Sequence, residues 1–219
     1  MIEHVWERSR QSRYLKSVLI ATDSPEIAAA ARGFGAEAVM TRADHPSGTD
    51  RVAEAASSTD AQIIVNIQGD EPLIDPAAID AAVLALLDAP GCELATLKTR
   101  ILDPQDLLNP NVVKVVTAAN GDALYFSRAA IPHDRNGGAV AWKHIGLYVF
   151  RRALLLGYSR LPRGPLETAE KLEQLRALEN GIPIRVAETD SDTIGVDTPE
   201  DLEAVERLIS LGGLNRHNG

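Results

Sequence analysis

The residues best suited to chemistry are two aspartates that each follow an apolar stretch. Asp70 ends the strand-like run IIVNIQGDEP at 63–72, and Asp197 follows the short strand-like segment 193–196. Ligands of open α/β sheets bind where strands end, and Mg²⁺ is held by one or two protein carboxylates together with phosphates and water. The pair therefore predicts a metal-nucleotide site, although each aspartate alone is equally well explained as a helix cap or turn residue.

A polar loop, TRADHPSGTDR at 41–51, stands at the start of a predicted helix. Ser47 and its neighbours could present hydroxyls and backbone N–H groups to a base or phosphate. Arg51 could bind a carboxylate through two parallel contacts. Taken alone, the loop is better explained as a turn with a Ser or Thr helix cap.

The strand pattern HIGLYVF at 144–150 could form one wall of a site. Alternation places His144, Gly146 and Tyr148 on one face and aliphatic residues on the other. The glycine would leave room for a ligand beside the backbone, but a half-exposed edge strand would show the same pattern.

A predicted helix at 166–180 carries leucines on its core side and two polar residues, Glu173 and Gln174, on a neighbouring face. These two side chains could hydrogen-bond a polyol. A solvated helix face is the simpler explanation for charged residues of this kind, and we apply it to Lys98 and Arg100 as well.

Composition limits the class of protein. The chain has 219 residues, 45% of them hydrophobic and 4% aromatic, which predicts one domain with an aliphatic core. Its net charge of −9 argues against a nucleic-acid surface but allows an anionic small substrate in a local basic pocket. Cys92 is the only cysteine, so no intrachain disulfide is possible. No apolar stretch has the length of a membrane span, and 1–15 lack a signal-peptide core, which predicts a cytoplasmic protein without membrane insertion.

The order of helix and strand patterns predicts a three-layer α/β fold with a mixed, mainly parallel sheet. Strands are predicted at 18–21, 38–40, 63–67, 94–99, 144–150, 184–188 and 193–196, with a hairpin of 112–117 and 123–127. Helices are predicted to begin at Ser24-Pro25, Pro76 and Thr198, in addition to one near the start of the chain. We expect a single domain over 1–211, a flexible tail at 212–219, and a mobile internal loop at 136–138.

Seven segments, taken in order, closely resemble the 3-deoxy-manno-octulosonate cytidylyltransferases, also called CMP-Kdo synthetases. They are TRADHPSGTDR at 41–51, VNIQGDEP at 65–72, NPNVVKVV at 109–116, ALYFSRAAIPHDR at 123–135, HIGLY at 144–148, LEQLR at 172–176 and GVDTPEDL at 195–202. Each segment alone is a weak signal, whereas the ordered series is specific to this family and spans nearly the whole chain.

The resemblance implies a Rossmann-like nucleotidyltransferase that transfers CMP from CTP to the eight-carbon sugar acid Kdo, for lipopolysaccharide biosynthesis. It implies Mg²⁺ held by Asp70 and Asp197, and a homodimer. By position, His45 and Ser47 would lie near the cytidine. The residues expected around the sugar acid are Arg51, Gln68, His144, Tyr148, Glu173 and Gln174, and those expected to serve catalysis are Asp70, Asp197 and Arg51.

The resemblance also implies a first strand and a Gly-, Arg- and Lys-containing phosphate loop, which the printed residues do not include. We therefore expect a start upstream of Met1, an empty strand position between 18–21 and 63–67, and low stability and activity of these 219 residues. Two alternatives stay open: an inactive sugar-acid-binding or interaction protein, and a cytidylyltransferase for another ulosonic acid.

Overall fold

Strands and helices alternate along most of the chain. The structure, a computed structural model, describes residues 1–193, 195–196 and 198–210. Its strands are β1 (Leu19–Thr22), β2 (Glu37–Met40), β3 (Ile63–Asn66), β4 (Leu94–Arg100), β5 (Lys114–Thr117), β6 (Ala123–Ser127), β7 (Trp142–Arg151) and β8 (Ile184–Glu188). Its helices are α1 (Ile2–Ser9), α2 (Pro25–Gly33), α3 (Gly48–Ser57), α4 (Pro76–Leu87), α5 (Pro104–Leu108), α6 (Arg152–Gly157), α7 (Pro165–Glu170), α8 (Leu175–Glu179) and α9 (Pro199–Ser210), with a 3₁₀ turn at Tyr158–Arg160.

Several helices begin with an N-cap side chain followed by proline. Ser24, Asp75 and Asp103 each accept a hydrogen bond from a backbone N–H of the first turn, and Pro25, Pro76 and Pro104 follow them directly. Proline is favoured at this position because its ring presets the helical φ and its missing N–H has no partner there in any case. These short local signals explain why the predicted starts of α2 and α4 are confirmed.

The long strand β7 organises the main sheet. It pairs antiparallel with β3 and β4, and β4 pairs parallel with β8. The antiparallel hairpin of β5 and β6 joins β7 near its beginning. It follows that β3, β4, β5 and β8 run in one direction and β6 and β7 in the other, so the predicted mixed sheet is confirmed.

Helices cover both faces of this sheet, which gives the three predicted layers. On one face α1 and α4 pack over Ile145, Leu147 and Val149 of β7. On the other face α3, α6 and α8 pack around Phe126 and Phe150. The predicted alternation of β7 is confirmed, and the edge-strand explanation for it is wrong because β7 has neighbours on both sides.

The predicted helix at 166–180 is wrong. The chain leaves the first helix, α7, at Lys171, whose backbone is left-handed with φ 52° and ψ 48°, and α8 begins only after Gln174. The predicted strand at 193–196 is also wrong for its described residues, which form no strand. Sequence patterns missed the short helices α5 and α6.

The strands β1 and β2 form a separate parallel pair. Within the described residues, no strand pairs with the second edge of β1 or of β3. The strand position expected to be empty between β1 and β3 is therefore not filled by another described strand. The expected low stability and activity of the chain stay predictions. The expected tail at 212–219 lies outside the described residues.

No helix in the described part of the chain is long and apolar enough to cross a membrane. Cys92 is buried, and its thiol lies 3.1 Å from the carbonyl oxygen of Leu94. This placement agrees with a packed structural cysteine.

Candidate functional site

Four chain segments meet on the face of β7 that α3 covers. They are the end of β3 with the turn after it, the start of α3, the face of β7 that carries Tyr148, and the break between α7 and α8. Gln68 reaches the start of α3, where its Oε1 lies 4.0 Å from the place that a Cβ on Gly48 would take. The structure thus brings together four of the sequence segments that were predicted to form a site.

Glu173 joins the α7–α8 break to the start of α3. Its carboxylate accepts a hydrogen bond from Thr49 Oγ1 at 3.0 Å, and its other oxygen lies 3.0 Å from Ser47 Oγ. The Ser47 hydroxyl also lies 2.7 Å from Asp50 Oδ2, and its one proton can go to either carboxylate. Burial raises the pKa of Glu173, although the hydroxyls of Ser47 and Thr49 and the charge of Arg176 oppose the shift. Because Lys171 turns the chain here, Glu173 projects from a loop and not from the predicted helix face.

Two contacts hold this break in place. Arg176 forms a buried two-point ion pair with Glu167, with distances of 2.8 and 2.6 Å. The hydroxyl of Tyr158 donates to the carbonyl oxygen of Glu173 at 3.0 Å. Gln174, expected near the sugar acid, is only 5% exposed, so little of its side chain is open to a ligand.

Ser47 serves as the N-cap of α3, since its hydroxyl accepts from the backbone N–H of Asp50 at 3.3 Å. The simpler explanation of the polar loop is therefore confirmed for this residue. The same hydroxyl also faces Glu173, so the cap and the candidate site share one atom.

Tyr148 lies on β7 between the rings of His144 and Phe150, with centroid distances of 5.5 and 6.3 Å. Burial raises the pKa of its hydroxyl, and the charges of Glu173 and Glu71 raise it further. Tyr148 therefore keeps its hydroxyl proton and can act as a neutral hydrogen-bond donor.

Burial lowers the pKa of His144 to about 3, so this imidazole is neutral at physiological pH. Its Nε2 lies 2.9 Å from Thr96 Oγ1, which also lies 2.8 Å from the carbonyl oxygen of Leu147. A hydroxyl has one proton to donate. If Thr96 donates it to the carbonyl, it accepts the Nε2–H of His144, and Nδ1 keeps a lone pair for another donor.

The acidic turn after β3 lies beside the segment that precedes Asp197. The backbone N–H of Val196 donates to the carbonyl oxygen of Asp70 at 2.9 Å. Burial raises the pKa of Glu71 and the charge of Asp70 adds to this shift, while Thr193 and Lys143 oppose it. Asp197 itself lies outside the described residues.

The side chains of Arg51 and His45 form their hydrogen bonds and ion pairs with groups outside the cluster around Glu173, which consists of Ser47, Thr49, Glu173 and the neighbouring Tyr148. Arg51 Nη1 donates to Thr41 Oγ1 at 2.6 Å and lies 3.3 Å from Asp23 Oδ1, at the ends of β1 and β2. His45 Nε2 is paired with the carboxylate of Glu54 and its side chain is buried. Arg51 lies in the first turn of α3 and His45 lies just before the helix, and their expected contacts with ligands stay predictions.

Sequence reasoning missed two residues of the region around His144. Thr96 fixes the orientation of the imidazole, and Lys98, expected on a solvated face, is buried with its Nζ 2.9 Å from Thr117 Oγ1 and 4.3 Å from the centre of the Trp142 ring. The signal was the strand pattern LATLKTR, in which Thr96 and Lys98 alternate with aliphatic residues and share a face.

Comparisons with known proteins show the family of the chain. A model of the cytidylyltransferase family matches residues 1–188. The 3-deoxy-manno-octulosonate cytidylyltransferase of Solibacter usitatus (strain Ellin6076) is 62% identical over 210 residues, which cover 95% of this chain and 83% of that protein. The enzyme of the same name from Syntrophotalea carbinolica (strain DSM 2380 / NBRC 103641 / GraBd1) is 55% identical over 216 residues, covering 94% of this chain and 86% of that protein.

A solved structure of a CMP:2-keto-3-deoxy-manno-octonic acid synthetase complexed with CTP matches with a TM-score of 0.92 and 44% identity. The match covers 96% of this chain and 87% of that chain. The resemblance found from the sequence motifs is confirmed.

Proposed function

Because the chain belongs to the cytidylyltransferase family, we propose that it transfers CMP from CTP to Kdo and releases pyrophosphate. The observation that carries the proposal is the cluster of Ser47, Thr49 and Glu173 beside Tyr148, in a chain 62% identical to a named Kdo cytidylyltransferase. The product, an activated Kdo, serves lipopolysaccharide biosynthesis in this proposal.

The proposed reaction is a direct displacement at the α-phosphorus of CTP. The anomeric hydroxyl oxygen of Kdo forms a bond to this phosphorus, and the bond from the phosphorus to the bridging oxygen of the β-phosphate breaks. Pyrophosphate leaves, and the hydroxyl proton passes to solvent. No protein nucleophile is required, so the side chains serve to bind and orient the two substrates.

The residues around Glu173 suit a sugar with many hydroxyl groups. Each carboxylate oxygen of Glu173 lies 3.0 Å from one hydroxyl and retains capacity for another donor. The neutral Tyr148 hydroxyl can donate to a sugar oxygen, and the neutral His144 can accept a sugar hydroxyl at Nδ1. Together they would select which oxygen faces the nucleotide.

We place the nucleotide on the other side of the start of α3. There Ser47 caps the helix and the side chain of His45 is buried against Glu54. Backbone N–H groups at a helix N-terminus favour an anionic group. In this arrangement α3 separates the base from the sugar acid and fixes their spacing.

Mg²⁺ is part of the proposal. The carboxylate of Asp70 has no hydrogen-bond or ion-pair partner among the described residues, and its negative charge raises the pKa of the neighbouring Glu71. An unpaired carboxylate beside a second acidic residue suits a hard cation. Asp70 and Asp197 would hold the ion, which when bound neutralises phosphate charge and lowers the pKa of the attacking hydroxyl. Within the described residues no group of three or more His, Cys, Asp or Glu side chains could hold a metal, so substrate oxygens and water would complete the shell.

The proposal includes a cytoplasmic homodimer. A cytoplasmic location is supported by the single buried cysteine, which suits a reducing compartment. A dimer is supported by the family resemblance and by exposed leucines, Leu124 on the edge strand β6 and Leu102 and Leu108 between β4 and β5.

The test is a substrate panel. The purified protein is incubated with Mg²⁺, either CTP or ATP, and either Kdo or a nine-carbon ulosonic acid, and pyrophosphate and the nucleotide sugar are measured. We expect one pyrophosphate per CMP-Kdo, formed only from CTP and Kdo. A higher kcat/KM with the nine-carbon acid would indicate another ulosonic acid as substrate, and binding of Kdo without pyrophosphate release would indicate an inactive binding protein.

A further inference from the structure

Asn66 is a buried amide at the end of β3 with an unpaired donor. The residue is only 4% exposed, and its Nδ2 has no hydrogen-bond partner among the described residues. A buried donor without a partner destabilises a protein, so such groups are rare unless a ligand satisfies them. The amide therefore needs an explanation that the sequence motifs do not supply.

The face of β3 on which Asn66 lies follows from the packing of its neighbours. Ile63, Val65 and Ile67 pack into the core beneath α4. Ile64 packs into the other core, beneath α3. Because side chains alternate along a strand, Asn66 shares the face of Ile64.

The pairing of β3 with β7 leads to the same face. Asn66 lies directly opposite Tyr148 in the antiparallel register, and directly opposed residues present their side chains on the same face. Glu71 reaches the same face of β7, since its Oε1 lies 3.6 Å from the place that a Cβ on Gly146 would take, and the charges of Glu173 and Glu71 act on the Tyr148 hydroxyl. The unpaired amide is thus aimed into the cluster that we assign to the sugar acid.

We propose that the side-chain amide of Asn66 donates a hydrogen bond to an oxygen of the acceptor sugar acid, so that Asn66 is a further substrate-binding residue; this rests on the proposed function. The Nδ2 group carries two N–H donors, which suit a hydroxyl or carboxylate oxygen. Tyr148, on the opposite strand, would donate to the same substrate from the neighbouring position.

Asn66→Ala removes the donor without breaking any hydrogen bond that the unliganded protein makes through Nδ2. We expect KM for Kdo to rise at least 10-fold, KM for CTP to change less than 2-fold, and the melting temperature without ligand to stay close to that of the parent protein. The rise in melting temperature that Kdo produces should be largely lost.

Asn66→Asp is the second variant, because it keeps the size of the side chain and replaces the donor by an acceptor. It should raise KM for Kdo by at least as much as Asn66→Ala. Asn111→Ala is the matched control, since Asn111 is an exposed amide outside the cluster, and it should leave both KM values unchanged.

Two results would overturn the assignment. An unchanged KM for Kdo in both Asn66 variants would show that the amide does not contact the sugar acid. A large fall in melting temperature together with equal rises in both KM values would show a structural role. If the parent protein releases no pyrophosphate with Kdo, the proposed function fails. The Kd for Kdo of the parent and of Asn66→Ala, measured by calorimetry, then decides the assignment, which requires a rise in Kd of at least 10-fold.

Discussion

The buried imidazole of His144 should make the stability of the protein depend on pH. Its pKa falls from 6.5 to about 3 on folding, because burial disfavours the charged ring. Above pH 6.5 the imidazole is mainly neutral in both the folded and the unfolded state, so its ionisation does not lower the stability of the fold. Below pH 6.5 the imidazole binds a proton in the unfolded state but not in the folded state. The free energy of unfolding therefore decreases as the pH falls.

We predict that His144→Asn reduces this loss. The maximum slope for one proton is about 1.4 kcal/mol per pH unit, and the variant should lack this contribution to the free energy of unfolding between pH 6.5 and 4.5. Urea unfolding across this range measures it. His133→Gln, at an exposed histidine, is the control and should keep the parent slope; an unchanged slope in His144→Asn would contradict the prediction.

The metal assignment is tested at Asp70. We predict that Asp70→Asn keeps the fold and removes most Mg²⁺-dependent turnover, because the amide keeps the size of the carboxylate and lacks its charge. Titration of Mg²⁺ against pyrophosphate release measures this. Asp60→Asn, at an exposed aspartate, should behave like the parent protein. Parent-like turnover of Asp70→Asn at limiting Mg²⁺ would refute the role of Asp70.

At the scale of elements, the sequence predicts what depends on local pattern. The alternating residues of β7 and the capped starts of α2 and α4 are recognisable because periodicity and capping are encoded within a few residues. The break between α7 and α8 is not recognisable, since AEKLEQLRALE at 169–179 has good helix formers throughout. The structure shows tertiary contacts around the break, including the bonds of Glu173 to the start of α3.

For the candidate site, the sequence predicted individual residues but not the contacts between them. Ser47 and Glu173 were each identified from motifs, yet their contact joins residues 126 positions apart, which no local pattern specifies. Asn66 reads as an ordinary strand residue in the sequence, and only its burial and its pairing with Tyr148 distinguish it. Residue types were therefore predictable, whereas their contacts depended on packing.

The left-handed backbone at Lys171 gives a prediction for this element. The left-handed conformation destabilises a residue that has a side chain by about 1 to 2 kcal/mol, and β-branched residues are destabilised most. Lys171 already bears this cost, so we expect Lys171→Val to lower the free energy of unfolding only by the extra cost of the β-branch, roughly 1 kcal/mol. Lys171→Gly should be neutral or stabilise by up to about 1 kcal/mol, because relief of strain competes with a more flexible unfolded chain.

Denaturant unfolding of both variants measures these changes. Ala169→Val, at an exposed position in α7, is the control for helix propensity and should cost only about 0.5 kcal/mol. A loss in Lys171→Val no larger than in this control would show that the backbone at 171 relaxes easily.

At the scale of the whole molecule, the main sheet ends at β6, and within the described residues no strand pairs along the outer edge of Ala123–Ser127, although Asp122, directly before it, bridges Arg185 of β8. Leu124 on β6 is 63% exposed, and Leu102 and Leu108, between β4 and β5, are 84% and 76% exposed. Exposed sheet edges and large exposed apolar side chains favour association with another chain. Because Leu124 lies on the edge strand, β6 is the best candidate for the contact in the proposed homodimer.

We predict that Leu124→Glu converts the dimer to a monomer at micromolar concentration, because a buried unpaired carboxylate at the contact is costly. Sedimentation velocity measures the mass, and circular dichroism verifies that the fold is retained. Leu202→Glu is the matched control: Leu202 is 41% exposed on α9, away from β6 in the chain, and its substitution should leave the dimer intact.

A dimer that survives Leu124→Glu would place the contact elsewhere, and a monomeric parent protein would refute the homodimer itself. Because Ser47 and Thr49 contact Glu173 within the same chain, we expect a monomeric Leu124→Glu variant to retain Kdo binding.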